Sequence, residues 1–105
     1  MIKVSILYPG KEDGRFDLDY YLTKHMPMAI EKLNPALKGV AVGYGLSGGL
    51  LGSPPPYLAM CDLLFDSLET FLAAFGTHAE ALRGDIPNYT NIEPIIQISE
   101  IKLSQ

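Results

Sequence analysis

Turn-forming residues cut this chain into short stretches of regular periodicity, and the order of those stretches constrains its fold more than any other feature. Lys3–Tyr8 alternates, with Val4, Ile6 and Tyr8 on one face of a strand. Pro9-Gly10-Lys11-Glu12-Asp13-Gly14 is a turn-rich loop. Asp17 then stands where a helix N-cap belongs, and helical spacing runs to Leu33, ended by Asn34-Pro35. Leu37–Leu46 is a second strand, followed by the Gly- and Pro-rich loop Ser47–Pro56 and a third strand, Tyr57–Phe65. Asp66-x-x-Glu69 reads as a capping box, and Leu68, Phe71, Leu72 and Phe75 follow at helical spacing. Gly76 is expected to stop that helix. Thr77-x-x-Glu80 would open a short one that ends at Arg83 and Gly84. After the loop Asp85–Asn91, Glu93–Leu103 is the last strand, with Pro94 near its start.

The order β-α-β-β-α-β predicts an α+β, ferredoxin-like antiparallel sheet with its helices on one face. Nothing divides the chain, so residues 1–105 form a single domain. The strands carry a second message. Tyr57-Leu58-Ala59-Met60-Cys61 is apolar on both faces, and Ile95 and Ile96 point to opposite faces. Helices can cover only one face of such a sheet, so the other needs a cover. A second copy of the chain is the simplest, which predicts a homodimer; a monomer with a ligand-lined open face is the alternative.

Charge excludes several partners. Eight Lys and Arg face twelve Asp and Glu, a net charge of −4, scattered without a basic stripe. That argues against nucleic acid. The longest charge-free stretch, Gly39–Cys61, is broken by glycines and by Pro54-Pro55-Pro56, so no membrane span is expected. The N-terminal residues lack the long apolar core of a signal peptide, and a cytoplasmic location is expected. The single cysteine, Cys61, allows no internal disulfide, and its apolar neighbours suit a buried small hydrophobe. With two histidines and no HxxxH or HxH spacing, neither a metal nor another cofactor is expected. Gly43-x-Gly45-x-x-Gly48 matches a dinucleotide fingerprint by letter, but it runs into a Pro-rich loop where a helix should open.

His25 is the residue most able to carry chemistry. On a helical wheel Leu18, Leu22, His25 and Ala29 share one stripe, with Tyr21, Met28 and Leu33 beside it. Tyr21 lies one turn before His25. Pro27 removes the N–H that would bond the Thr23 carbonyl, so a kink is expected there. A kinked helix with an inward His and Tyr can open a small pocket against the sheet. His25 then serves as an acid/base or polar anchor, or else as a core histidine bonded to backbone. Asp85 and Tyr89, in the loop before the last strand, are candidates for the pocket mouth or plain turn residues. His78 reads as part of a solvated face.

The stretch Phe16-Asp17-x-x-Tyr20-Tyr21-x-x-x-His25-Met26-Pro27 resembles the EthD-like family of small proteins. So do Ile86-Pro87-Asn88-Tyr89-Thr90, leading into Pro94-Ile95-Ile96-Gln97-Ile98, and the opening KVSILYPGKEDGRF. The likeness spans essentially the whole chain, and Met28 is its one departure. The resemblance implies a dimeric α+β barrel whose subunits pack sheet to sheet. It implies a pocket between helices and sheet for a small, often cyclic organic ligand. It also adds weight to a functional role for His25, with Tyr21 as its neighbour. Members accompany monooxygenase systems in bacterial ether degradation, and the wider superfamily includes cofactor-free monooxygenases, lactone isomerases and polyketide cyclases. Two functions follow as expectations: proton transfer or oxidation on an apolar molecule, or ligand binding as an accessory to an oxygenase. Fold likeness does not choose between them.

Overall fold

The computed structural model describes every residue from Met1 to Gln105. Strand β1 (Ile2–Pro9) is central, pairing antiparallel with β3 (Tyr57–Phe65) on one side and β4 (Ile95–Glu100) on the other. Strand β2 (Gly39–Tyr44) pairs with the far edge of β3, giving the order β2-β3-β1-β4. All helices lie against one face, and the molecule measures 39 × 33 × 19 Å, two layers thick. The expected ferredoxin-like arrangement is the observed one.

Period-two alternation decides which residues meet the helices. Val4 sits opposite Leu63 and Ile98, and Tyr8 opposite Ala59, all on the helix-facing side. There Val4, Tyr8, Cys61, Leu63 and Phe65 are buried together with Tyr21, Ala29, Leu33, Phe71 and Leu82 from the helices. Phe65, fully buried, stands 5.2 Å ring to ring from Phe71. Removing a side chain of this size from water is worth about 1.5–3 kcal/mol. The other face carries Lys3, Ser5 and Leu7 beside Met60, Asp62 and Ile95, and the Ser5 hydroxyl donates to Asp62 at 2.7 Å. Met60 and Ile95 are exposed on it.

Several boundaries differ from the sequence reading. β4 ends at Glu100 because Glu100 pairs with Ile2 and β1 begins there, leaving only Ile101 N–H to reach the Met1 carbonyl. β2 is shorter than Leu37–Leu46 at both ends, since its register with β3 stops at Leu64 and Ala59. The second helix, α3 (Leu68–Gly84), is capped one residue later than expected. The Ser67 hydroxyl, not the Asp66 carboxylate, accepts from the Thr70 N–H at 3.1 Å. It also runs unbroken through Gly76 and Thr77, so the separate short helix does not exist. The Thr77 hydroxyl bonds back to the Ala73 carbonyl at 3.1 Å instead of capping. Leu82, beyond the expected break, is buried, which favours carrying the helix on.

The Gly43–Gly48 stretch opens no helix. Gly45 hydrogen-bonds Leu58 across the end of the sheet, and a Cβ there would fall 2.6 Å from the Tyr57 carbonyl oxygen. Close backbone approach is what that glycine allows.

Candidate functional site

The first helical segment is not one helix. A turn of α-helix, α1 (Leu18–Tyr20), is capped by the Asp17 carboxylate on the Tyr20 N–H. It passes into a π-helical turn, Tyr21–His25, and then into α2 (Met26–Leu33). The Met26 N–H reaches the Tyr21 carbonyl, five residues back. The next residue is Pro27, which has no N–H to misplace, so the change from π to α spacing happens where no donor is lost. The expected kink is therefore a π turn.

That turn sets the site. The inserted residue rotates the buried stripe, so Tyr21, His25, Ala29 and Leu33 face inward while Leu22, expected on the stripe, is exposed. The wider turn brings Tyr21 and His25 into line, with rings stacked 5.4 Å apart at 15°. Tyr89 packs on the same pair, 4.9 Å from the Tyr21 ring and 4.7 Å from that of His25. The Asp17 N–H donates to the Tyr89 carbonyl at 2.7 Å, and Phe16 bridges Thr90, so the 89–90 loop is tied to the start of the helix.

A cavity of about 450 Å³ opens between the helices and the sheet. Of the 20 residues around it, 17 are hydrophobic. Such a volume and lining suit a small organic ligand. His25, Tyr21 and Tyr89 all line it. Asp85 does not; it lies behind His25. Its Oδ2 is 2.8 Å from His25 Nδ1. Its Oδ1 accepts from the Tyr20 hydroxyl at 2.8 Å and from Asn88 Nδ2 at 2.9 Å. Burial pushes the Asp85 carboxyl up, but the hydrogen bonds from Asn88, His25 and Tyr20 outweigh it and hold the group below its ordinary value. An ionised carboxylate can only accept, so His25 Nδ1 carries the proton and Nε2 is the ring nitrogen free to act as base or acceptor.

The other polar groups sit among the aromatics. The Tyr8 and Tyr89 hydroxyls are 2.7 Å apart, and the Tyr21 hydroxyl neighbours Tyr8 and Cys61. Burial raises all three phenols, so they stay protonated and keep hydrogens to donate. It also pushes the Cys61 thiol up to about 11, which suits the packing role expected of it. No group of three or more His, Cys, Asp and Glu side chains gathers to hold a metal ion. His78 lies on α3, outside this cavity, and no helix is long and apolar enough to cross a membrane.

The structure thus brings His25, Tyr21, Asp85 and Tyr89 together, with Asp85 hydrogen-bonded behind His25 and outside the cavity lining. The sequence reading missed Tyr20, Asn88 and Tyr8. Asn88 had a local signal, the Asp85-x-x-Asn88 spacing of a turn whose side chains bond each other. Tyr20 and Tyr8 had none, because their partners lie 65 and 81 residues away.

No protein-family model matches the chain, and no curated protein does. Solved structures do. An ethyl tert-butyl ether (EthD) family protein from Bacillus halodurans C-125 shares 17% identity, with a TM-score of 0.68 over 96% of this chain and 98% of its own. HapK from Hahella chejuensis shares 12%, with a TM-score of 0.54 over 98% and 96%. At those identities the likeness is one of fold. An EthD-like protein from Ralstonia eutropha JMP134 is much nearer, with a TM-score of 0.93 over 99% of this chain and 94% of its own. Its sequence is 44% identical over that length, and by that measure the present chain belongs to the EthD-like family.

Proposed function

We propose that this protein is a small enzyme that moves a proton on an apolar organic molecule held in the cavity, with His25 as the acid/base. The observation that carries this reading is the 2.8 Å bond from His25 Nδ1 to Asp85 in the wall of an apolar cavity. The bond fixes the tautomer and leaves Nε2 as the base. Nε2 takes a proton from a carbon beside a carbonyl, and Asp85 stabilises the imidazolium that forms. The electron pair moves onto the carbonyl oxygen as an enolate. A protonated phenol from the Tyr8, Tyr21 and Tyr89 group supplies a hydrogen bond to it. The carbonyl re-forms as His25 returns the proton to another carbon of the conjugated enolate, which moves a double bond and completes an isomerisation.

A second reading has its own support. A lining that is 17 parts in 20 hydrophobic is what a carrier needs, and such a protein would hold its ligand for an oxygenase with His25 only as an anchor. A thermal-shift screen of small aromatic, lactone and polyketide-like compounds on wild type and His25→Ala separates the two, followed by turnover assays on the hits. The enzyme reading expects His25→Ala to stay folded and to bind ligand while turnover falls about 10²–10⁴-fold. Loss of affinity with no turnover in wild type would support the carrier. A large drop in melting temperature with no ligand found would make His25 structural.

Dimerisation belongs to the same proposal. The open sheet face bears Leu7, Met60 and Ile95, and a second copy covering it gives each a partner. Light scattering on the eluting protein at micromolar concentration is expected to give twice the chain mass.

A further inference from the structure

We infer that the cavity selects organic acids: its ligand carries a carboxylate on an apolar body, and Arg83 is the residue that reads it. The inference rests on the cavity being the ligand site, as proposed above, and names the class of ligand. Arg83 is in the last turn of α3 and is one of only two lining residues with a side chain able to bear positive charge, the other being His25. Every other lining residue is aliphatic, aromatic, methionine, cysteine or proline.

Arg83 has no anion of its own. It makes no ion pair with any Asp or Glu, and its guanidinium makes no hydrogen bond, not even to the carbonyls of the last helical turn. Asp85, two residues on, is fully engaged by His25, Tyr20 and Asn88, and Arg83 is not among the groups that shift it. Instead the guanidinium lies over the Phe75 ring, 5.5 Å from its centre, and Phe75 stacks on Phe71 at 5.4 Å. Both rings line the cavity. Arg83 is exposed, so the stacking holds its planar fork at the rim of the apolar wall with the donors open to solvent. A guanidinium placed so matches a carboxylate with two parallel hydrogen bonds. Because Arg83 and Asp85 flank Gly84, one short stretch positions both the proposed acid reader and the group that orients His25. A ligand held by its carboxylate at Arg83 would thus lie in a fixed direction relative to Nε2.

The test uses a matched pair of probes, 2-naphthoate and methyl 2-naphthoate, which differ in charge but scarcely in apolar body. Each is titrated by calorimetry into wild type, Arg83→Gln and Arg83→Lys. Wild type is expected to favour the acid by about tenfold or more, within the range of a charge-assisted hydrogen-bonded pair. Arg83→Gln should lose that preference and keep its ester affinity, which also shows that the variant is folded. Arg83→Lys should fall between, and added salt should weaken the acid alone. Equal binding of acid and ester to wild type, or an acid preference that survives in Arg83→Gln, overturns the assignment and leaves the proposed function standing. If neither probe binds wild type, the cavity is not a site for such molecules, and both readings fall.

Discussion

Each of the two helical regions carries a residue that ought to break it, and only one of them breaks. In the first segment Pro27 stands just beyond a π turn, and the helix changes its spacing there. In α3 Gly76 sits mid-helix, and the 17-residue helix runs through it unbroken. The difference is one of kind. Proline removes a donor, and no packing can restore it. Glycine only widens the choices of the unfolded chain, at a cost near 1 kcal/mol relative to alanine. Burial of Leu82 on the far side of Gly76 outweighs that cost. The chemistry follows the same division. The irregular segment carries Tyr20, Tyr21 and His25, whose side chains form the proposed site, while the regular one supplies the apolar wall and delivers Asp85 at its end.

If that division is right, the largest loss of stability belongs to the wall. Phe71 is buried between Phe65 and Phe75. Phe71→Ala is expected to cost about 3–5 kcal/mol in urea unfolding. A loss below 1 kcal/mol would mean that α3 is not the scaffold described here.

Asp85 joins the two regions, so its replacement tests the join. Asp85→Asn presents an amide hydrogen where three donors now meet a carboxylate, and a loss of about 1–2 kcal/mol is expected at neutral pH. The sign of its pH dependence follows from the lowered folded-state value. A carboxyl that ionises more readily when folded stabilises the protein above its ordinary pKa of 3.8. That stability fades as pH falls below 3.8 through the folded value. The gap between wild type and Asp85→Asn should therefore be widest at neutral pH and close in acid. A gap that stays constant down to pH 2.5 would show that the loss comes from packing and not from charge.

The same contrast explains what could be read from the sequence. The order of elements was legible because the alternation of Lys3–Tyr8 and the helical spacing of Leu68, Phe71, Leu72 and Phe75 are local properties with fixed periods. An inward His25 beside Tyr21 was legible too, since they lie four residues apart on one helical segment. The stripe came out rotated, with Leu22 expected inside, because a wheel drawn at constant pitch has no place for an inserted residue. The partnership of His25 with Asp85 spans 60 residues, and no periodicity reaches that far. It depends on how α3 packs against the first helical segment; the sequence reading placed its end at Gly84 but broke it at Gly76. Asp66 and Ser67 are both good caps, and only geometry says which oxygen meets the Thr70 N–H.

The smallest effect probes the comparison at its centre. Nothing lies within 4 Å of where a Cβ on Gly76 would sit, and its φ is not positive. Alanine fits there without strain, and it narrows the unfolded ensemble. Gly76→Ala is thus expected to stabilise the protein by about 0.5–1 kcal/mol. At this chain length that is a rise of a few degrees in melting temperature. Ligand binding should not change, since Gly76 is not part of the cavity wall. A loss of stability would mean that glycine serves a purpose at this point, such as close approach of a second chain. In that case the unbroken helix would owe its shape to a neighbour and not to the burial of its own far end.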